Sequence, residues 1–159
     1  MEVVGHRLET VHRLASDVRR LDVGDRPADE LLVGVSFPIW NGRRGFAVEE
    51  FARRHGDFAI AGATVGVELD DADRVRRCAI GLIGLGSTPE RAGAAETAEG
   101  ELMGRPIAEI EPDDVGRLAT AGLGSVPDDL HGSARFRTRV GAAMVVRAWT
   151  TASAEARDG

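Results

Sequence analysis

The segment Arg53-Arg54-His55-Gly56-Asp57 gathers the side chains of this sequence best suited to proton transfer. An imidazole titrates near neutrality, at about 6.5 when unperturbed, so His55 can both take and give a proton there. Asp57, two residues on, shares a face with His55 in any extended segment and could orient its ring. Glu49 or Glu50, on the preceding extended segment, could supply a further carboxylate, and Glu49 completes the candidate catalytic set. Arg53 and Arg54 are candidate ligand-binding cations at the same rim. A plain turn is the competing reading, in which Gly56 permits the reversal and Asp57 accepts hydrogen bonds from nearby backbone N–H groups. Both readings stay open on the residues alone.

Other chemistry is sparse. The 20 basic residues are all arginine, so a Schiff-base lysine and a P-loop lysine are both excluded. Cys78 is the only cysteine and sits among apolar residues, which fits an inert core thiol and rules out an internal disulfide. His6 and His12 are six apart and do not share a helix face at metal-ligand spacing, so no metal site is expected. His131 precedes the last helical segment and reads as a structural loop or cap residue. The arginines of "RFRTR" (135–139) read as the solvated side of that helix, with an acidic partner surface as the minority view. Trp40 is either a lid on the core or an interface anchor, and it joins the candidate ligand-binding set.

Elements must position these groups. Leu8, Val11, Leu14, Val18 and Leu21 recur at helical spacing, which predicts a helix over 3–21. A loop follows over 22–30, then a strand at "LLVGVSF", stopped by Pro38, with Asn41-Gly42 as a hairpin signal. Over 58–69 one parity is wholly apolar: Ala59, Ala61, Ala63, Val65, Val67 and Leu69. The opposite parity, Phe58, Ile60, Gly62 and Thr64, becomes the candidate ligand face, because a period of two cannot send both sets to the helices. "DDAD" (70–73) turns the chain, and Cys78, Ile80 and Leu82 share one face of the returning strand. Helices are expected near 88–102, 113–122 and 134–153, the first opened by a Ser/Thr cap followed by proline. Strands before helices predict an α+β fold: a small antiparallel sheet over about 31–85, with about three helices on one face. Residues 1–28 form a helix or linker, and 29–159 one domain.

The bulk numbers set outer limits. A content of 43% hydrophobic and 29% charged residues is that of a folded globular chain. A net charge of −6 with only 4% aromatics argues against nucleic-acid partners. No apolar run reaches the length of about 18 residues that a membrane helix needs, and no signal peptide is recognised, so a cytoplasmic protein is expected.

Four separated segments carry a family resemblance: "DELLVGVSFP" (29–38), "GFAVEEFARRHGDFAIAGATV" (45–65), "AIGLIGLGSTPERAGAAE" (79–96) and "DDLHGSARFRTRVGAAMVVRA" (128–148). In order and spacing they resemble the C-terminal domain of the FAD-binding subunit of molybdenum hydroxylases, the xanthine dehydrogenase and aerobic carbon monoxide dehydrogenase group. The resemblance covers roughly residues 29 to 150. It implies a small antiparallel sheet packed on three helices, with the start of the 58–69 strand turned towards the flavin. In that family two glycine-rich loops, Ala-Gly-Gly-x-Ser and Thr-x-Gly-Gly-Asn, hold the FAD. Neither occurs in this sequence. Such loops need glycine to bring backbone N–H groups against the pyrophosphate, so FAD is expected only where another chain supplies them.

Three functions follow. The favoured expectation is a repurposed, cofactor-free enzyme for a small-molecule substrate, performing isomerisation, dehydration or cyclisation with His55, Asp57 and Glu49. A split or relic component of a flavin subunit, active only beside partner chains, is the alternative. A purely structural module is the third. A homodimer is expected, to cover the apolar face that the flavin domains would otherwise meet.

Overall fold

The fold is taken from a computed structural model, which describes residues 2–4, 10–12, 31–34, 39–54, 56–86 and 93–159. The chain divides into two compact units, Met1–Ile39 and Trp40–Gly159.

In the first unit, strands β1 (Glu2–Val4), β2 (Thr10–His12) and β3 (Leu31–Gly34) form an antiparallel sheet in the order β2-β1-β3. Val3 pairs with Val11 on one side and with Leu32 on the other, across a bulge. The helix expected over 3–21 is therefore corrected at both places where the structure describes that stretch. Val3, Val4, Thr10 and Val11 are β-branched, and cross-strand pairing overrides the helical spacing of the neighbouring leucines. The remainder of that expected helix lies outside the described residues.

The second unit is a three-stranded antiparallel sheet carrying helices. Strands β4 (Arg43–Phe51), β5 (Ala61–Leu69) and β6 (Val75–Ile83) lie in sequence order, so β5 is central and β4 and β6 are edges. Among the described residues β3 pairs with β1 and not with β4, so the single sheet expected over 31–85 is two sheets. The Asn41-Gly42 hairpin is corrected with it: Gly42, at φ 85°, leads directly into β4. The Asp70–Asp73 turn is as expected. Asp70 folds it by accepting the Ala72 and Arg74 N–H groups, and the Arg74 bond above all holds its carboxyl below the usual carboxylate range.

Helices α1 (Gly93–Leu102), α2 (Pro112–Thr120) and α3 (Ala134–Asp158) follow, with a short 3₁₀ turn at Ile107–Glu109. Pro112 occupies the first turn of α2, and the Ser133 hydroxyl caps α3 by accepting the Phe136 N–H. The start expected for α1 near residue 88 lies outside the described residues. Ala59, ahead of the strand, is only half-buried, but from Ala61 on the apolar parity behaves as its period requires: Ala61, Ala63, Val65, Val67 and Leu69 are all buried. They meet Cys78, Ile80 and Leu82 of β6 and Val145, Ala148, Trp149 and Ala152 of α3 in one core. Each fully buried Val, Leu or Ile side chain there stabilises by roughly 1.5–3 kcal/mol relative to exposure, and each alanine by less.

Contact between α3 and β4 is backbone to backbone. A Cβ added at Gly45 would lie 2.0 Å from the Ala152 carbonyl oxygen, so only glycine fits. Both sheet edges are closed by helix carboxylates. Glu155 of α3 accepts the Phe46 N–H at 2.8 Å, and Glu99 of α1 accepts the Ile80 N–H at 2.7 Å. An edge strand with unpaired N–H groups is a template for unwanted pairing, and these two contacts remove one such group from each side.

Candidate functional site

The helices cover one face of the β4-β5-β6 sheet, and two recesses of the second unit take up candidate residues. One lies on the open face. The period of two brings Phe46 and Val48 of β4 to that face, with Thr64 and Gly66 of β5 and Ala79 and Gly81 of β6. With Trp40 they line a recess of about 360 Å³ whose wall is almost wholly apolar. Trp40 and Phe46 meet edge to face with ring centroids 5.1 Å apart. The Arg77 guanidinium lies 4.2 Å above the Trp40 ring, a cation–π contact that fixes the indole. The floor is flat because it is glycine. A Cβ at Gly66 would come within 3.0 Å of Phe46 and 3.1 Å of Trp40, and one at Gly81 within 2.5 Å of the Thr64 hydroxyl.

The other recess, about 230 Å³, is more polar and is lined by Arg53, Asp57, Phe58, Ala59, Ile60, His131 and Arg137. Gly56, at φ 82°, permits the turn before it, and Asp57 accepts the Phe58 N–H at 2.9 Å. Those are the two contacts that the turn reading requires. Arg137 binds the recess together. Its guanidinium is buried and grips Asp129 through two bonds of 2.8 and 2.9 Å, while also donating to the carbonyls of Ile60, Gly84 and Gly132. Gly84, at φ 72°, leaves no room for a Cβ, which would lie 2.6 Å from the Ile60 oxygen. Arg53 joins the two loops by donating to the Leu130 carbonyl at 2.7 Å. The Arg137 guanidinium first, and the His131 N–H second, hold the Asp129 carboxyl below its ordinary range.

The candidate residues are thus divided. Asp57, Arg53, Phe58 and Ile60 share the polar recess, whereas Trp40 and Thr64 belong to the open sheet face. Glu49 pairs with Ala63 in the sheet, and Gly62 lies opposite Glu50 and Ile83; neither lines either of these two recesses. Arg54 is exposed and contributes its carbonyl to the Gly56 turn, accepting the Asp57 N–H. His55 lies outside the described residues. A common ligand face for Phe58, Ile60, Gly62 and Thr64 is corrected for a physical reason. Regular strand begins only at Ala61, so the alternation does not extend back through Ile60, which is buried, while Phe58 is 94% exposed.

Sequence reasoning missed Arg137 and read His131 only as a structural loop or cap residue. The first was grouped with a solvated arginine face, yet it alone of "RFRTR" is buried; its position one helical turn before Gly141 was the available signal. His131 lines the polar recess although its N–H, accepted by Asp129, makes it a turn residue as well. No group of three or more metal-ligating side chains occurs among the described residues.

Comparisons with known proteins agree with this architecture. Residues 46–152 match the family described as the CO dehydrogenase flavoprotein C-terminal domain. The chain is 38% identical over 128 residues to the 6-hydroxypseudooxynicotine dehydrogenase complex subunit alpha of Paenarthrobacter nicotinovorans, covering 80% of this chain and 42% of that one. It is 36% identical over 121 residues to the caffeine dehydrogenase subunit beta of a Pseudomonas species, covering 76% and 39%. It therefore spans about two fifths of the length of these relatives. Among solved structures, CO dehydrogenase from Oligotropha carboxidovorans superposes with a TM-score of 0.80 at 27% identity, over 97% of this chain and 52% of that one. Quinoline 2-oxidoreductase from Pseudomonas putida 86 gives 0.79 at 30% identity, over 98% and 52%.

Proposed function

Because this chain belongs to the family of CO dehydrogenase flavoprotein C-terminal domains, we propose that it serves in the FAD-binding subunit of a molybdenum hydroxylase and covers a flavin whose phosphates are held elsewhere. The observation that carries this reading is the flat, glycine-floored recess on the open sheet face. A fused aromatic ring needs a planar apolar wall, and the glycines at 66 and 81 let Phe46, Trp40 and the Thr64 hydroxyl pack directly against the strand backbones to make one. Trp40 and Phe46 would wall the ring, and the Thr64 hydroxyl would offer the polar atom of the floor. Bound there, the flavin supplies reversible redox chemistry. The residues of this chain exclude water from one side of it and fix its orientation. Neither glycine-rich loop that would cradle the phosphates occurs in the sequence, and among the described residues Gly84 lies against the Ile60 carbonyl.

A cofactor-free isomerase, dehydratase or cyclase has weaker support. The relatives named above are dehydrogenase subunits, and the Asp57 carboxylate already serves its own turn. Partner chains are the expected cover for the open face, with a homodimer as the second arrangement.

The test is reconstitution. FAD is titrated into the purified chain alone and into its mixture with the loop-bearing portion of a related subunit, followed by flavin fluorescence and absorbance. The chain is expected to change the flavin spectrum only when that portion is present, and Gly81→Leu is expected to abolish the change. An unaltered spectrum on adding this chain to the flavin-loaded portion would overturn the reading.

A further inference from the structure

The groove between α2 and α3 is built from two stripes at helical spacing. Arg117 and Thr120 line it from α2, and Arg135, Arg139, Ala142 and Val146 from α3. The two helices touch beneath it: a Cβ on Gly116 would lie 2.7 Å from the Ala142 oxygen and 2.8 Å from a Val146 methyl. The floor is consequently shallow, apolar and made of small side chains, and the groove encloses about 540 Å³.

The charges are unbalanced at the place where they meet that floor. Arg117 is paired with Asp114 at 2.6 Å. Arg135 and Arg139 are exposed and make no hydrogen bond or ion pair among the described residues. They stand four residues apart on one helix, a like-charge spacing that weakens a helix unless something neutralises it. Asp113 is the one acidic side chain lining the groove. This basic stripe belongs to a chain whose net charge is −6, so it opposes the general character of the molecule.

We propose that the groove docks an acidic amphipathic helix of a partner protein. An apolar stripe on the visitor would lie on Ala142 and Val146, and carboxylates one turn apart would meet Arg135 and Arg139. The α3 stripe runs from residue 135 to residue 146, eleven steps or about 16 Å, which is three turns of a visiting helix. Small floor residues let the backbone of that helix approach closely. The proposal stands apart from the flavin reading, since the groove shares no residue with the sheet recess.

A synthetic helical peptide of about 14 residues, with leucine along one face and glutamate one turn apart beside it, is the probe. Its binding to the full chain is read by fluorescence anisotropy at low and high salt. Binding that weakens with salt, and that falls at least about tenfold in the Arg135→Glu/Arg139→Glu double variant, is the expected result. The same variant is expected to bind the matching peptide with lysine in place of glutamate, which shows that it is folded. Equal binding of polyglutamate would make the stripe a simple anion site and overturn the proposal. So would failure of the acidic peptide to bind, or a wild-type dimer in light scattering that the double variant dissolves.

Discussion

Arg137 shows how much of the polar recess depends on one side chain. Its guanidinium satisfies three carbonyls and a carboxylate from three separate stretches of chain. Arg137→Met should lower stability by at least about 1–3 kcal/mol, the cost of a single buried carbonyl left without a donor, read from the denaturation midpoint. Asp129 provides the pH signature of the same contact. Its carboxyl is held low chiefly by Arg137, so the stabilisation is present above the ordinary carboxylate pKa and lost as pH falls through the depressed folded value. The gap between wild type and Asp129→Asn should be constant above about pH 5 and close below about pH 4, in parallel urea titrations. Glycine positions give a second contrast. Gly45→Ala forces a methyl into the Ala152 carbonyl and should destabilise by about 1–3 kcal/mol or more. Gly100→Ala, in a helix with open space beside it, should instead stabilise by about 0.5–1 kcal/mol.

At the scale of elements, the helix carboxylates on the sheet edges make a local prediction. Glu99→Ala leaves the Ile80 N–H without its acceptor in a buried setting, and that amide should exchange with deuterium faster while amides of β5 keep their protection. Unchanged exchange at Ile80 would show that the contact does not hold the edge. The sequence announced the elements whose information is local. The Asp70 turn, the apolar parity from Ala61 to Leu69 and the start of α3 at residue 134 all act within a few residues, and each is where its pattern put it. Partner choice was not legible. Whether "LLVG" pairs with β4 or with β1 depends on residues far away in sequence, and the apolar spacing near the amino terminus suited a helix as well as strands. The candidate site was half legible for the same reason: the loop at 53–57 was found, while its partner loop at 129–132 lies more than seventy residues on.

For the molecule as a whole, the flavin reading predicts that the purified chain alone shows no micromolar FAD affinity by calorimetry, because ring stacking without phosphate contacts is a weak hold. Light scattering decides between a partner subunit and a second copy as cover for the open face; a monomer at micromolar concentration favours the partner. No helix among the described residues is long and apolar enough to cross a membrane. The α3–β4 contact also bears on how the protein is made. Phe46, near the start of the second unit, is capped by Glu155, 109 residues later. A nascent chain must therefore leave the ribosome almost to its last turn of helix before its first sheet edge is closed. Ribosome stalling or proteolysis ahead of α3 would release strands whose apolar face has no cover, and such fragments should be cleared or aggregate instead of persisting as a smaller folded domain.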